Sequence, residues 1–507
     1  MSRAGVEHRA AAVSLVSGLG ALLSIVFQLV SVPVCLHFWG RERYGAWLAV
    51  FAAATMFRMV DGGFIDYVGN RLNLLYHTDR DAMRRVLASS AVGSAVLGLL
   101  QLGIVCVALA VGASAGASAA GAAERAPVAL VVLVAAWVMS GSFIGIVHRL
   151  LVPAGMMCQA AWWAMGYQTA IFAGLVTAAI ARLDLLATSL LVATVQASVY
   201  FASAFYIRRR LPEFFPWWHR PDARTAFADL ARSMTFVLGT ALQQAATGGT
   251  VLLVGAMLGV AAVPVFTTMR TMANLWNTLT ATLTSPLLPD LVRYHATRQP
   301  AKLVALVEAH AWLVGTLVDL GIVIGYPFMV AVYASWTRGA LPLDRPLLAA
   351  LLAAAALYNA GALMTVYLTG INDARAVLGL ALVRALLTLA AGAAAMRFGV
   401  AGAGYGILLA EAACFSLAAS VLFPAALRRL DRAARGPRLG WAWTTAACAI
   451  AFLAAAASGA GAAPLLLAVV AAAMLVAAWR GFLRLDGDVR RRLLALGARW
   501  LPMRSGP

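Results

Sequence analysis

The stretch "FTTMRTMANLWNTLTATLTSPLLPDL" reads as a membrane helix with a permanent cation, Arg270, well inside it. At 100° per residue, Thr267, Arg270, Thr271, Asn274, Asn277, Thr278 and Ser285 fall within an arc of about 120°. Met269, Met272, Trp276, Leu279 and Leu283 take the opposite side. A membrane helix turns such a polar stripe toward protein or a hydrated cavity. Arg270 lies 11 residues past Gly259, about 16 Å in and near the bilayer midplane. An arginine at that depth costs ~2.5–3.5 kcal/mol or more. Positions i±3 and i±4 hold Thr267, Ala273, Phe266 and Asn274, none of them acidic. A guanidinium there is suited to bidentate recognition of a phosphate or carboxylate.

Other polar groups fall inside apolar runs. Thr240, Gln243, Gln244, Thr247 and Thr250 form a stripe on one helix, and Ser14, Ser17, Ser24 and Gln28 form one on another. Interhelical hydrogen bonding is the plain role for such amides and hydroxyls, and sugar binding is the functional one. Arg58 stands three residues before Asp61, so the two can pair on one helix face, or Arg58 can contact a substrate. Glu308, Trp312, Gly315 and Asp319 share a face, with Asp319 about 16 residues from the near end of its helix. Glu411 is similarly deep, and Arg384 is its candidate ion-pair partner. Buried carboxylates hold protons more tightly, so Asp319, Glu411 and Asp61 are candidates for binding a coupling ion, H+ or Na+. Cys35, Cys106, Cys158, Cys414 and Cys448 are far apart, and no two histidines have metal-ligand spacing. No metal or cofactor site is expected.

These residues are carried by an almost wholly apolar chain. Of 507 residues, 63% are hydrophobic and 12% charged, the composition of a polytopic membrane protein. Fourteen spans are expected, near 12–38, 44–66, 86–112, 128–148, 159–181, 185–206, 232–257, 261–288, 304–333, 347–369, 375–397, 403–425, 441–458 and 463–483. The first is too long for a cleaved signal peptide and reads as a span. The net charge of +19 comes from 38 arginines and one lysine set against 20 acids. With the amino terminus inside, 29 of the 39 basic residues fall in cytoplasmic segments, 7 in external ones, and Arg58, Arg270 and Arg384 in spans. That bias expects both termini in the cytoplasm. The charge reads as topology signal and contact with anionic lipid, not as a nucleic-acid surface.

Two stretches repeat. "HFWGRERYGAWLAVF" and "AMLGVAAVPVFTTMR" each place a short glycine-led turn between two long helices, with Gly40 and Gly259 in matching places. An all-α architecture is expected: two six-helix lobes, 1–229 (with the cytoplasmic linker) and 230–427, followed by two extra helices and a basic tail over 428–507. Transporters built from repeats commonly bind substrate between the halves.

"FWGRERYGAWLAV…DGGFIDYVGNRLN" resembles the amino-terminal signature of polysaccharide exporters of the multidrug/oligosaccharidyl-lipid/polysaccharide exporter superfamily. "LLVGAMLGVAAVPVFTTMRTMANL…PLLPDLVRYHA" resembles the matching segment of their second half. With helix count and orientation, the resemblance covers most of the chain. It implies a multi-pass inner-membrane flippase or exporter of polyprenyl-pyrophosphate-linked oligosaccharide, working by alternating access beside other polysaccharide-assembly proteins. Arg270, Asn274, Asn277, Arg58, Gln28, Gln243 and Gln244 would then meet substrate, while Asp319, Glu411 and Asp61 would couple transport to an ion. Two other classes compete. A multidrug exporter of the same superfamily would favour organic cations over the anion that Arg270 suits. A membrane-bound sugar enzyme would need acids in its external loops, and these turns are short: "GRERY" is basic and "ARLD" holds one acid. No catalytic residue is expected.

Overall fold

The computed structural model describes residues 3–76, 79–114, 126–284, 287–371, 373–458, 464–487 and 490–491. Among them there is no β-strand. In hydrocarbon each backbone amide and carbonyl must be satisfied within its own segment, so long apolar runs become helices. The run Arg3–Leu75 is two helices that meet at Gly40, α1 (3–39) and α2 (41–75). Then follow α3 (Arg80–Ser114), α4 (Ala126–Leu151), α5 (Met157–Ile180), α6 (Leu185–Arg210), α7 (Ala223–Leu258) and α8 (Ala262–Thr284). A short α9 (Leu288–Ala296) leads into α10 (Pro300–Trp336), α11 (Arg345–Gly370), α12 (Ala374–Phe398), α13 (Ala401–Leu430), α14 (Gly440–Ala457) and α15 (Pro464–Arg484).

Twelve helical runs among the described residues are long and apolar enough to cross a membrane, and the first, Leu22–Asn73, contains two of these helices. The polar face of α8 keeps its mean hydropathy low, so it stands outside that set. With it, fourteen long helices are present, as expected, in an all-α polytopic membrane protein.

Acids that stand in the turns serve as helix caps. Asp184, Asp222, Asp344 and Asp373 each accept from a backbone amide at the start of α6, α7, α11 and α12. Their carboxylates satisfy donors that a helix start leaves unpaired. Asp184 is the acid of "ARLD", so that residue has a structural task.

The described chain forms two compact units. The first comprises Met1–Val265 and Trp336–Leu341; the second comprises Phe266–Ser335 and Pro342–Pro507. In the first, α2 packs closely on α7: a methyl added at Gly63 would lie 2.6 Å from the Phe236 carbonyl carbon. Phe27 of α1 stacks on Phe172 of α5 at 4.2 Å between centroids. In the second unit α11 is buried along almost its whole length, with α13 and α14 packed against it. Because α7 packs with α2 and α3, the compact units divide after Val265, while the expected repeat boundary lies at 229/230. A repeat follows sequence and a compact unit follows packing, so the two divisions need not coincide.

Both repeat glycines have the same unusual backbone. Gly40 sits at φ 72°, ψ −179° and Gly259 at φ 86°, ψ 158°. This region is essentially closed to residues with a β-carbon, and occupying it costs of order 1–3 kcal/mol. Gly40→Ala and Gly259→Ala should each lower unfolding free energy by about that amount. Gly103→Ala, on a helix with open space around it, should not. Denaturant titrations in mixed micelles would check this, and equal stability of all three variants would contradict it.

Candidate functional site

The second unit holds the face of α8 singled out by sequence. Phe266, Met269, Met272 and Ala273 are buried. Thr267, Arg270, Thr271 and Asn277 are partly buried, and Asn274 is exposed. The Arg270 guanidinium lies 5.7 Å from the Phe266 ring centre. Glu411 of α13 acts on it electrostatically. Glu411 is itself gripped by Arg384 of α12, whose Nε and Nη2 donate to its two oxygens at 2.8 and 3.0 Å. This is the bidentate fork that guanidinium makes with carboxylate. Arg384 also lies 5.8 Å from the Tyr358 ring. Glu411 therefore pairs with Arg384 and also acts on Arg270.

Beside them runs an amide ladder. Asn277 Nδ2 donates to Asn274 Oδ1 at 3.4 Å, and Asn359 Nδ2 of α11 donates to Asn277 Oδ1 at 2.7 Å. Thr280 donates to Asn359 Oδ1. Asn359, fully buried, ties α8 to α11. Sequence reasoning missed it, although a lone amide in "LLAAAALYNAGALM" is a legible signal. Ser285 lies outside the described residues.

Asp319 of α10 is 2% exposed and faces the Thr445 hydroxyl of α14. Its Oδ1 has no hydrogen-bond partner among the described residues. Its neighbours on α10 face the same way. Glu308 Oε1 accepts from the Arg438 amide at 2.6 Å, and Trp312 Nε1 donates to the Ala478 carbonyl of α15 at 2.8 Å. Asp319 thus faces the last two helices. α8 packs near Gly321, where an added methyl would meet the Trp276 ring at 2.3 Å.

The first unit holds a second cluster. Asp61 of α2 has no exposed surface and accepts from Trp137 Nε1 of α4 through both oxygens, at 3.1 and 3.0 Å. Arg58 lies 4.5 Å from the Trp137 ring centre and donates from Nη2 to the Tyr167 hydroxyl at 2.5 Å. That hydroxyl donates to Gln196 Oε1 at 3.0 Å. Among the described residues no ion pair joins Arg58 to Asp61. They share Trp137 instead, its π-face toward the cation and its N–H toward the carboxylate. A π-helical turn at Trp137–Ser142 includes Gly141, where a methyl would lie 2.1 Å from the indole. Trp137, Tyr167 and Gln196 were missed because a tryptophan in an apolar run reads as packing.

The remaining candidates are more open. Gln28 is exposed and donates to Ser24 Oγ at 3.4 Å. Gln243 is exposed, and Gln244 Oε1 accepts from Thr247 at 3.2 Å. The side chains of Ser14 and Ser17 lie outside those described. Among the described residues no group of three or more His, Cys, Asp or Glu could hold a metal ion.

No protein-family model matches the chain, and no curated protein matches it. Solved structures do. A lipid II flippase, MurJ, in an inward closed conformation aligns with TM-score 0.63 at 10% identity, covering 92% of this chain and 97% of that one. An inward-facing multidrug resistance MATE family transporter of the MOP superfamily aligns with TM-score 0.59 at 15% identity, covering 81% and 96%. A MOP superfamily transporter from Pyrococcus furiosus, described as having a binding pocket of reversed polarity, aligns with TM-score 0.53 at 15% identity, covering 83% and 96%. The chain has the fold of these MOP-superfamily transporters, which are transporters and a flippase, not enzymes.

The Arg384–Glu411 pair is 14% and 12% exposed. Breaking a buried pair from one side leaves an uncompensated charge and costs about 3–5 kcal/mol. Arg384→Gln and Glu411→Gln should each be destabilising by that order. The double variant should fall short of their sum by more than ~1 kcal/mol. Unfolding measurements on the four-member cycle check this, and strict additivity would refute the coupling.

Proposed function

We propose that the protein flips a polyprenyl-pyrophosphate-linked oligosaccharide across the cell inner membrane by ion-coupled alternating access. Both termini lie in the cytoplasm, and the moving lobes are 1–229 and 230–427, with 428–507 as added helices. The observation that carries this reading is Arg270, a cation at midplane depth on the polar face of α8. A guanidinium there suits the oxygens of an anionic headgroup. Asn274 and Asn277 offer amide donors and acceptors matched to sugar hydroxyls. Gln28, Gln243 and Gln244 offer the same chemistry in the first unit, and Arg58 adds a donor-only guanidinium. The fold shared with a lipid II flippase supports the class of cargo. Asp319, buried with an oxygen left over, takes the coupling ion, H+ or Na+. Glu411 and Asp61 are the other carboxylates suited to that task.

Export of organic cations is a second reading, favoured by Asp61 beside Trp137 and by the fold shared with MATE transporters. A carboxylate and aromatic faces suit an organic cation.

One assay separates these. Cells making equal amounts of each variant are scored for lipid-linked glycan export and for efflux of a cationic dye. Arg270→Ala should abolish glycan export, and Arg270→Lys should retain part of it, because lysine keeps the charge but loses the planar fork. Asp319→Asn should remove the dependence on an imposed ion gradient. Normal glycan export by the alanine variant, or dye efflux without glycan export, would overturn the proposal.

A further inference from the structure

Away from these clusters, one end of the second unit carries a cavity of about 820 Å³. It opens where the α9–α10 turn, the start of α12 and the end of α13 meet. His295, Arg298, Asp373, Arg375 and Arg429 line it, with Leu430 and Ile371 among the apolar walls. By the charge bias of the sequence this end faces the cytoplasm.

The charge in this cavity is unbalanced. Among its described lining residues Asp373 is the one acid, and its carboxylate is already engaged. Oδ1 accepts from the Ala376 amide at 3.2 Å as the cap of α12, and Oδ2 accepts from Arg429 Nη1 at 2.7 Å. Arg298 and Arg375 pair with no carboxylate among the described residues. Both are exposed, on two different elements that flank the opening. His295 is fixed by a 2.8 Å hydrogen bond between Nδ1 and the Tyr367 hydroxyl. Burial holds its imidazole below the ordinary histidine range, so it stays neutral at pH 7. Arginine forks converging from separate elements recognise phosphate oxygens. The volume is far more than one phosphate needs and fits a headgroup, within the range of small-molecule sites.

Depth matches a lipid. α9 presents Leu288 and Val292 partly exposed beside the cavity, and its other face carries Arg293 and Asp290 as an ion pair. That amphipathic arrangement belongs at the headgroup layer. Basic pockets between membrane helices on the cytoplasmic side take anionic headgroups.

We infer that this cavity, through Arg298, Arg375 and Arg429, binds a phosphate-bearing anion, the phosphodiester headgroup of an anionic membrane lipid. The inference does not depend on the transported cargo. An occupant would tie the α9–α10 corner to α12 and α13.

The test uses the full chain in neutral detergent, titrated with short-chain phosphatidylglycerol, with phosphatidylcholine, and with inorganic pyrophosphate. Variants are Arg298→Gln/Arg375→Gln, Arg298→Gln alone, and Arg428→Gln, whose arginine is on α13 but does not line the cavity. Each arginine near an anionic surface is worth ~1 kcal/mol, and 1.4 kcal/mol is tenfold. The double variant should bind phosphatidylglycerol about 30-fold more weakly and the single about fivefold, with Arg428→Gln near wild type. The single variant, at an exposed turn, serves if the double is poorly folded. Preference for phosphatidylglycerol over phosphatidylcholine, lost in the double variant, supports a lipid occupant. Pyrophosphate binding lost in the same variant supports the same site filled by a soluble phosphate. Equal binding of both probes by wild type, single and double variants would overturn the site.

Discussion

A guanidinium among apolar helices has to find its compensation inside the protein, since hydrocarbon offers none. In the second unit Glu411 answers part of that constraint. Glu411 holds Arg384 in a bidentate fork and acts also on Arg270. The fork ties α12 to α13. Asn359 then ties α8 to the buried helix α11 through Asn277 and Thr280. The first unit meets the same constraint differently. Arg58 rests on the faces of Trp137 and Tyr167, and the Trp137 N–H is spent on Asp61. One indole thus serves a cation and an anion at once, which keeps Arg58 and Asp61 from needing each other.

This difference matters for chemistry. A guanidinium laid on aromatic faces is held by the rings, whereas one paired with a carboxylate is held by charge. Asp319 is separate from both clusters, facing Thr445 on the added helices. An ion taken up there would act through α10 and α14, not through α8 directly.

Much of the architecture was legible because period and length survive in lipid. The helices followed from apolar runs, the Gly40 and Gly259 turns from a matched short motif, and the α8 stripe from 100° spacing. Both glycines adopt one backbone conformation. Pairing of Arg384 with Glu411 could be read from depth alone. What sequence hid was contact between distant segments. Trp137 looked like packing because its N–H partner lies 76 residues away. Asn359 was masked by the apolar run around it. The division after Val265 depends on how α7 packs, and no composition shift marks it. π-helical turns in α4, α7, α10, α12 and α13 each add a residue within a helix and rotate the turns beyond it, so a fixed 100° step drifts there.

The central claim is that the Arg270 guanidinium on the polar face of α8 meets an anionic headgroup. The most direct measurement is photolabelling of the purified protein with a polyprenyl-diphosphate-linked sugar carrying a photoreactive group next to the diphosphate. A neutral glycolipid with the same tail and sugar is the comparison. The account predicts that the diphosphate probe labels α8 or its contacts on α11, α12 and α13, that polyprenyl diphosphate competes it away, and that the neutral probe leaves these helices unlabelled. Equal labelling by the neutral probe, or diphosphate-dependent labelling confined to other helices, would contradict it.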